Sequence, residues 1–154
     1  MRITDRFTEN CILIDVNGTS KEKVIDLLVS KLCEVYQIEN RQGVHEAVLG
    51  RERKMSTGIG CGLAVPHAKV DFLEKMSIVA LTCRTGIDFS AIDKEPVYLV
   101  FLIVSPSNTT GPHIRALSAI SRIMADSEIR KSLIEAPSPE EFYKRLRLGE
   151  EKYS

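Results

Sequence analysis

The residues most able to do chemistry lie in one stretch, Ser56-Thr57-Gly58-Ile59-Gly60-Cys61-Gly62-Leu63-Ala64-Val65-Pro66-His67-Ala68. Its three closely spaced glycines admit positive φ and let other groups approach the backbone. Leu63-Ala64-Val65 reads as a buried strand that Pro66 ends, because proline cannot donate to a central ladder. His67 is therefore expected at the end of a core strand, beside a glycine loop rich in free N–H groups. That setting suits a histidine that handles an anion, with phosphate the leading candidate. Imidazole is neutral near pH 7 and nucleophilic, with an ordinary pKa of about 6.5. A phosphoryl group in flight spreads charge over three oxygens, so its transfer depends on positioning and electrostatic stabilisation. Ser56, Thr57, Gly58 and Gly60 are the expected phosphate-binding positions, with donors from the backbone of Thr57 to Cys61. Arg51 can add a planar cationic fork matched to phosphate oxygens.

A second histidine, His113, follows Gly111-Pro112 and opens a helix. A helix N-terminus favours anions and disfavours imidazolium, so His113 is expected to remain a neutral donor. It can bond a phosphate oxygen or hold the tautomer of His67. Each residue also has a plainer reading. His67 can be an ordinary core or surface histidine, and His113 can cap backbone. Arg51 can pair with Glu46 or Glu52, and Ser56 and Thr57 can simply cap a turn. The glycines match neither G-x-x-x-x-G-K-[ST] nor G-x-G-x-x-G, which speaks against nucleotide binding. His45 sits in a polar stretch and matches no motif.

Two blocks carry a resemblance over about Asp15 to Leu146. Arg51-Glu52, Ser56-Thr57-Gly58-Ile59-Gly60 and Ala64-Val65-Pro66-His67-Ala68 form the first. Gly111-Pro112-His113-Ile114-Arg115-Ala116-Leu117 forms the second. Together they resemble the enzyme IIA domains of the fructose-mannitol class, part of the bacterial phosphoenolpyruvate-dependent phosphotransferase system. The resemblance implies His67 as the phosphorylated residue, His113 as its partner and Arg51 as a phosphate-facing cation. It implies HPr or a nitrogen-branch paralogue as donor, and an enzyme IIB cysteine or a regulatory target as acceptor. It implies no metal and no cofactor. The expected activity is that of a phosphotransferase component, a phosphohistidine carrier. Single-domain relatives include the nitrogen-regulatory enzyme IIA proteins. With no IIB or membrane domain attached, the regulatory reading is preferred, and sugar uptake is the alternative. A docked carrier excludes water, so the face around His67 is expected to be apolar, with Ile59, Leu63, Ile87 and Phe89 as candidates that can equally be core.

Several elements must position these groups. Cys11 to Ile14 is a short strand candidate, and Asn17-Gly18 marks a turn. Thr19 and Glu22 fit a capping box ahead of a helix that reaches about Gln37, with Val24, Leu27, Leu28, Leu32 and Val35 inward. A second helix spans 44–54, with Val44, Val48 and Met55 inward. Ser77 to Arg84 and Val97 to Ser105 are strong strands, the latter apolar on both faces and so central in a sheet covered on both sides. Asp93 to Pro96 connects them, too short for a crossover helix, so the sheet is expected to be mixed. A helix from about His113 to Met124 turns Leu117, Ile120, Ile123 and Met124 inward. Asp126 caps a short helix through Ile134. Ser138 with Glu141 caps the last, Pro139 at N1, ending near Leu148 before a fraying tail. The expectation is an α/β fold: one domain over 1–154, core about 8–148, with a central mixed sheet and helices on both faces.

Composition narrows the classes further. The chain has 154 residues, 44% hydrophobic and 27% charged, as ordinary globular domains do. Lys+Arg 21 balance Asp+Glu 21, and no basic run marks a nucleic-acid footprint. The start at Met1 lacks a signal-peptide core. The longest apolar run, Val97 to Val104, falls short of the about 20 residues a bilayer needs. A cytoplasmic location follows as the expectation. Cys11, Cys33, Cys61 and Cys83 form no CxxC pair and read as reduced thiols. Cys61, in the glycine loop, is either reactive or a small residue filling a tight turn.

Overall fold

The structure is a computed structural model that describes residues 1–17 and 19–153. Among these, five α-helices and six strands follow two 3-10 turns at Ile3–Asp5 and Glu9–Cys11. In chain order they are β1 (Ile12–Leu13), α1 (Lys21–Tyr36), α2 (Arg41–Lys54), β2 (Gly58–Gly60), β3 (Leu63–Ala64), β4 (His67–Val70), β5 (Ser77–Ile87), β6 (Val97–Pro106), α3 (Gly111–Met124), α4 (Ser127–Ile134) and α5 (Pro139–Lys152).

The sheet is mixed, as expected. Its order is β1-β5-β6-β3-β2, with β4 also paired to β6. β1 runs parallel to β5, while β5 and β6 form a long antiparallel pair. Every residue of β6 except Tyr98 is buried. Successive side chains alternate between faces, so this pattern requires cover on both sides. α1 packs on β5 and α2 on β4, while α4 packs on β5 and β6.

The strand that bears the site differs from its sequence reading. β3 ends at Ala64, one residue before the expected Val65, and after Val65 and Pro66 His67 opens a new strand instead of trailing the old one. β3 and β4 lie in succession along one flank of β6, pairing Ala64 with Val100 and His67 with Ile103 without a shift of register. Proline interrupts the ladder only locally, because its carbonyl still accepts from Ile103 N at 3.1 Å. Between β2 and β3 the chain reverses through Gly60, Cys61 and Gly62, all at positive φ. An added Cβ at Gly62 would meet the Tyr98 ring at 3.0 Å, so glycine answers both the dihedral and the space there.

The helix caps follow local chemistry. Ser20, not Thr19, caps α1: its backbone is extended and its hydroxyl accepts from Lys23 N at 3.3 Å. The expected Asn17-Gly18 turn lies outside the described residues at Gly18. Asn40 caps α2, which starts earlier than the 44–54 expectation. Asp126 and Ser138 cap α4 and α5 as expected. In α1 the inward stripe is Val24, Ile25, Leu28, Val29 and Leu32, while Leu27 is 41% exposed. Met55 points out at 64% exposure, because α2 has already ended at Lys54.

The tail does not fray at Gly149. α5 continues to Lys152 because Glu150, buried against the N-terminal turn, accepts from Ile3 N, Thr4 N and the Thr4 hydroxyl. Three of the four proposed partner-face residues, Leu63, Ile87 and Phe89, are core at 3% exposure or less. Only Ile59 reaches the surface, since β2 is an edge strand. Cys11, Cys33 and Cys83 are buried free thiols, while Cys61 is exposed at the turn.

Candidate active site

Topology brings the two histidines together. His67 opens β4, which pairs parallel with β6, and α3 leaves the end of β6 and returns His113 over it. The two rings lie 5.4 Å apart between centroids, tilted by 60°. They share a cavity of about 420 Å³ with Glu46, Ala47, Gly50, Arg51, Lys54, Ala68 and Lys69. Three cations face one carboxylate there, and Glu46 already accepts from Gln42 Nε2 at 3.1 Å. The cavity is therefore electropositive, with α2 forming one wall.

The tautomer of His67 follows from its partner. Nδ1 lies 2.8 Å from the carbonyl oxygen of Val65. A carbonyl oxygen only accepts, so Nδ1 carries the proton and Nε2 keeps its lone pair. The bond also fixes the ring plane. Period-2 alternation places His67 and Lys69 on one face of β4, with Ala68 and Val70 buried on the other.

His113 is only 5% exposed. Its Nδ1 lies 2.6 Å from the hydroxyl of Ser105, itself buried on β6. Burial first, then His67 and Lys69, push its pKa down to about 4. That direction favours the neutral ring, and its first cause is burial, not the helix start from which neutrality was expected. The serine hydroxyl can donate to Nδ1, which leaves the proton of the neutral ring on Nε2. Ser105 was not singled out in the sequence, although a polar residue closing an otherwise apolar strand is a usable signal.

Arg51 lines the cavity near the end of α2, where its Nη1 donates to the Met55 carbonyl at 2.9 Å. That bond aims the guanidinium and closes the helix end. Among the described residues Arg51 pairs with neither Glu46 nor Glu52. Glu52 turns inward instead, binding Lys21 Nζ at 2.7 Å, Thr57 N at 2.9 Å and the Thr57 hydroxyl at 2.6 Å.

The glycine stretch lies beside the histidine cavity's lining and not in it. Ser56, Thr57, Gly58 and Gly60 do not line the histidine cavity. Three backbone donors of this stretch are engaged within the protein: Thr57 N by Glu52, Gly58 N by the Ser56 hydroxyl at 3.0 Å, and Cys61 N by Asp93 at 3.1 Å. Ser56 also donates to the Phe89 carbonyl at 2.8 Å. The turn-capping reading of Ser56 and Thr57 describes these contacts. Lys54 and Lys69 line the cavity beside Arg51. His45 lies apart, 3.9 Å from Asp26. No group of three or more His, Cys, Asp or Glu side chains among the described residues is arranged to hold a metal ion. No helix among them is long and apolar enough to cross a membrane.

Comparison with known proteins gives a consistent neighbourhood. The family described as "Phosphoenolpyruvate-dependent sugar phosphotransferase system, EIIA 2" matches residues 5–148. The fructose-specific EIIABC component of Bacillus subtilis is 38% identical over 138 residues, covering 90% of this chain but 22% of that protein. A nitrogen regulatory protein of Bradyrhizobium diazoefficiens is 34% identical over 148 residues, covering 96% of each. The crystal structure of the nitrogen regulatory protein IIA-Ntr of Neisseria meningitidis superposes with a TM-score of 0.86 at 28% identity, covering 94% of this chain and 98% of that one.

Proposed function

Because this chain belongs to the EIIA 2 family of the phosphoenolpyruvate-dependent sugar phosphotransferase system, we propose that it is a phosphohistidine carrier that takes a phosphoryl group on Nε2 of His67 and passes it to a second protein. The observation that carries this reading is the bond between His67 Nδ1 and the Val65 carbonyl, beside a neutral His113 in a basic cavity. Nε2 attacks the phosphorus of a donor phosphohistidine as the donor P–N bond breaks. Arg51, Lys54 and Lys69 offset the charge on the three transferring oxygens, and His113 donates a hydrogen bond to one of them. The proton on His67 Nδ1 stays where it is, held by Val65, so the adduct needs no rearrangement. Ser56, Thr57, Gly58 and Gly60 act from behind, fixing the chain that follows Arg51.

The donor in this reading is HPr or its nitrogen-branch paralogue, and the protein works in the cytoplasm as one domain over 1–154. The regulatory role is preferred, with a target protein that reads the phosphorylation state. The resemblance to the Bradyrhizobium and Neisseria nitrogen regulatory proteins supports it. A sugar-uptake role, with transfer to an enzyme IIB cysteine, is the second reading, supported by the 38% identity to the fructose-specific protein.

Incubation with phosphoenolpyruvate, enzyme I and each donor, followed by intact mass before and after mild acid, tests the proposal. An acid-labile adduct absent from His67→Ala supports it. A His67→Ala protein phosphorylated at the normal rate overturns it. Transfer onward to a IIB domain, set against binding to a regulatory target, separates the two roles.

A further inference from the structure

A second basic surface lies away from the histidine cavity. A groove of about 470 Å³ is lined by Met1, Arg2, Asp5, Arg6 and Arg115. It adjoins another of about 310 Å³ that shares Met1 and Arg2 and adds Arg122. Neither has a lining residue in common with the histidine cavity. Arg115 and Arg122 stand seven residues apart on α3 and so share one helix face. His113 is on the buried side of the same helix.

Among the described residues, none of these four guanidinium groups forms an ion pair with a carboxylate. Asp5 and Glu150 are the carboxylates at these grooves. Asp5 makes no ion pair, and Glu150 is consumed by Ile3 and Thr4. The Arg115 guanidinium folds back over the first turn of α3, its Nη1 3.1 Å from where a side chain on Gly111 would begin. There it faces the positive end of the helix dipole, an arrangement that an anion improves. On a chain of net charge +0, four unpaired arginines concentrated on one side are an unusual use of charge.

We propose that this stripe docks an acidic segment of a protein partner, at a surface distinct from the phosphoryl site. Its extent favours a chain over a compact ion, since two adjoining grooves share Arg2 and present cations at both ends. The guanidinium fork suits carboxylates in pairs. Duplex nucleic acid fits less well, because the acidic residues on the rest of this neutral chain repel a long phosphate backbone. With His113 on the inner side of α3 and the arginines on the outer, one partner can hold the helix while another reaches His67.

The test is fluorescence anisotropy of a labelled peptide rich in Glu and Asp, titrated with the full chain at low and physiological ionic strength. Binding should weaken with salt. The double variant Arg6→Glu/Arg115→Glu should lose about tenfold or more in affinity, and Arg6→Gln/Arg115→Gln should lose an intermediate amount, with an unchanged melting temperature showing that each is folded. Arg51→Ala should bind the peptide as the parent does. The proposal is overturned if the double variants bind normally, or if Arg51→Ala weakens the peptide as much. It is also overturned if inorganic phosphate alone displaces the peptide at equal concentration, or if a DNA duplex binds more tightly through the same arginines. Because the readout needs no phosphoryl transfer, its failure is distinguishable from failure of the carrier reading.

Discussion

Replacing Ser105 with alanine isolates the least conspicuous part of the site. The hydroxyl lies 2.6 Å from His113 Nδ1, and both residues are buried. Alanine leaves that ring nitrogen without a partner, where water has little access. An unsatisfied buried polar group costs about 1–3 kcal/mol. In a domain of this size the melting temperature should fall by about 2–4 °C for each kcal/mol. A structural serine would do no more than that. If the hydroxyl also holds the ring proton on Nε2, transfer from the phosphorylated donor should slow by a further factor of about ten, because the donor to the phosphoryl oxygens is no longer fixed. Rapid-quench transfer kinetics on Ser105→Ala, with nitrogen NMR of the His113 ring, read both effects. Normal transfer and an unchanged tautomer, alongside a lowered melting temperature, would refute the positioning argument and leave Ser105 a packing residue.

Other perturbations follow from the same geometry. The His113 pKa, pushed down to about 4, means that the unfolded chain takes up a proton more readily below about pH 6.5. Stability should therefore be full above pH 6.5 and decline toward pH 4 by up to about 1.4 kcal/mol per pH unit from this group. Urea unfolding of the parent and His113→Gln across that range should show the slope in the parent alone. Glu52→Ala strips Lys21 and Thr57 of their buried partner. It should cost about 3 kcal/mol, with Lys21 at 17% side-chain exposure moderating the loss. Equal urea midpoints for parent and Glu52→Ala would show that the network contributes nothing. Gly62→Ala, at φ +76 and against Tyr98, should destabilise by about 1–3 kcal/mol. It should leave phosphate acceptance per folded molecule unchanged, since Gly62 lies outside the cavity.

The sequence made the long elements legible where apolar pattern and caps agreed. The continuous apolar run at Val97 to Val104 pointed to a central strand, and the short Asp93 to Pro96 connection pointed to a mixed sheet, which the antiparallel β5–β6 pair makes so. Both residues of the histidine pair were legible from their own surroundings, although nothing local announced that β4 and β6 would align in parallel to bring them together. In the glycine stretch the N–H groups looked free, and three of them have acceptors within the protein. The acceptors for Thr57, Gly58 and Cys61 N are Glu52, Ser56 and Asp93, and the inward turn of Glu52 on a polar helix is fixed by Thr57 and by Lys21, which lies far away in the chain at the start of α1. Leu63, Ile87 and Phe89 could not be told from a docking face, since a buried apolar residue and an exposed one look alike in a list of letters. Thr19 and Ser20 were equivalent as caps by composition, and only backbone geometry chose Ser20.

The carrier reading rests on which nitrogen of His67 is nucleophilic. Phosphorylating a nitrogen-15 histidine-labelled protein through enzyme I and HPr or its paralogue, then recording phosphorus–nitrogen couplings, identifies the atom. Because Nδ1 holds its proton against the Val65 carbonyl, the phosphoryl group should sit on Nε2 of His67. A group found on Nδ1, on His113, or on no histidine would contradict the site as described.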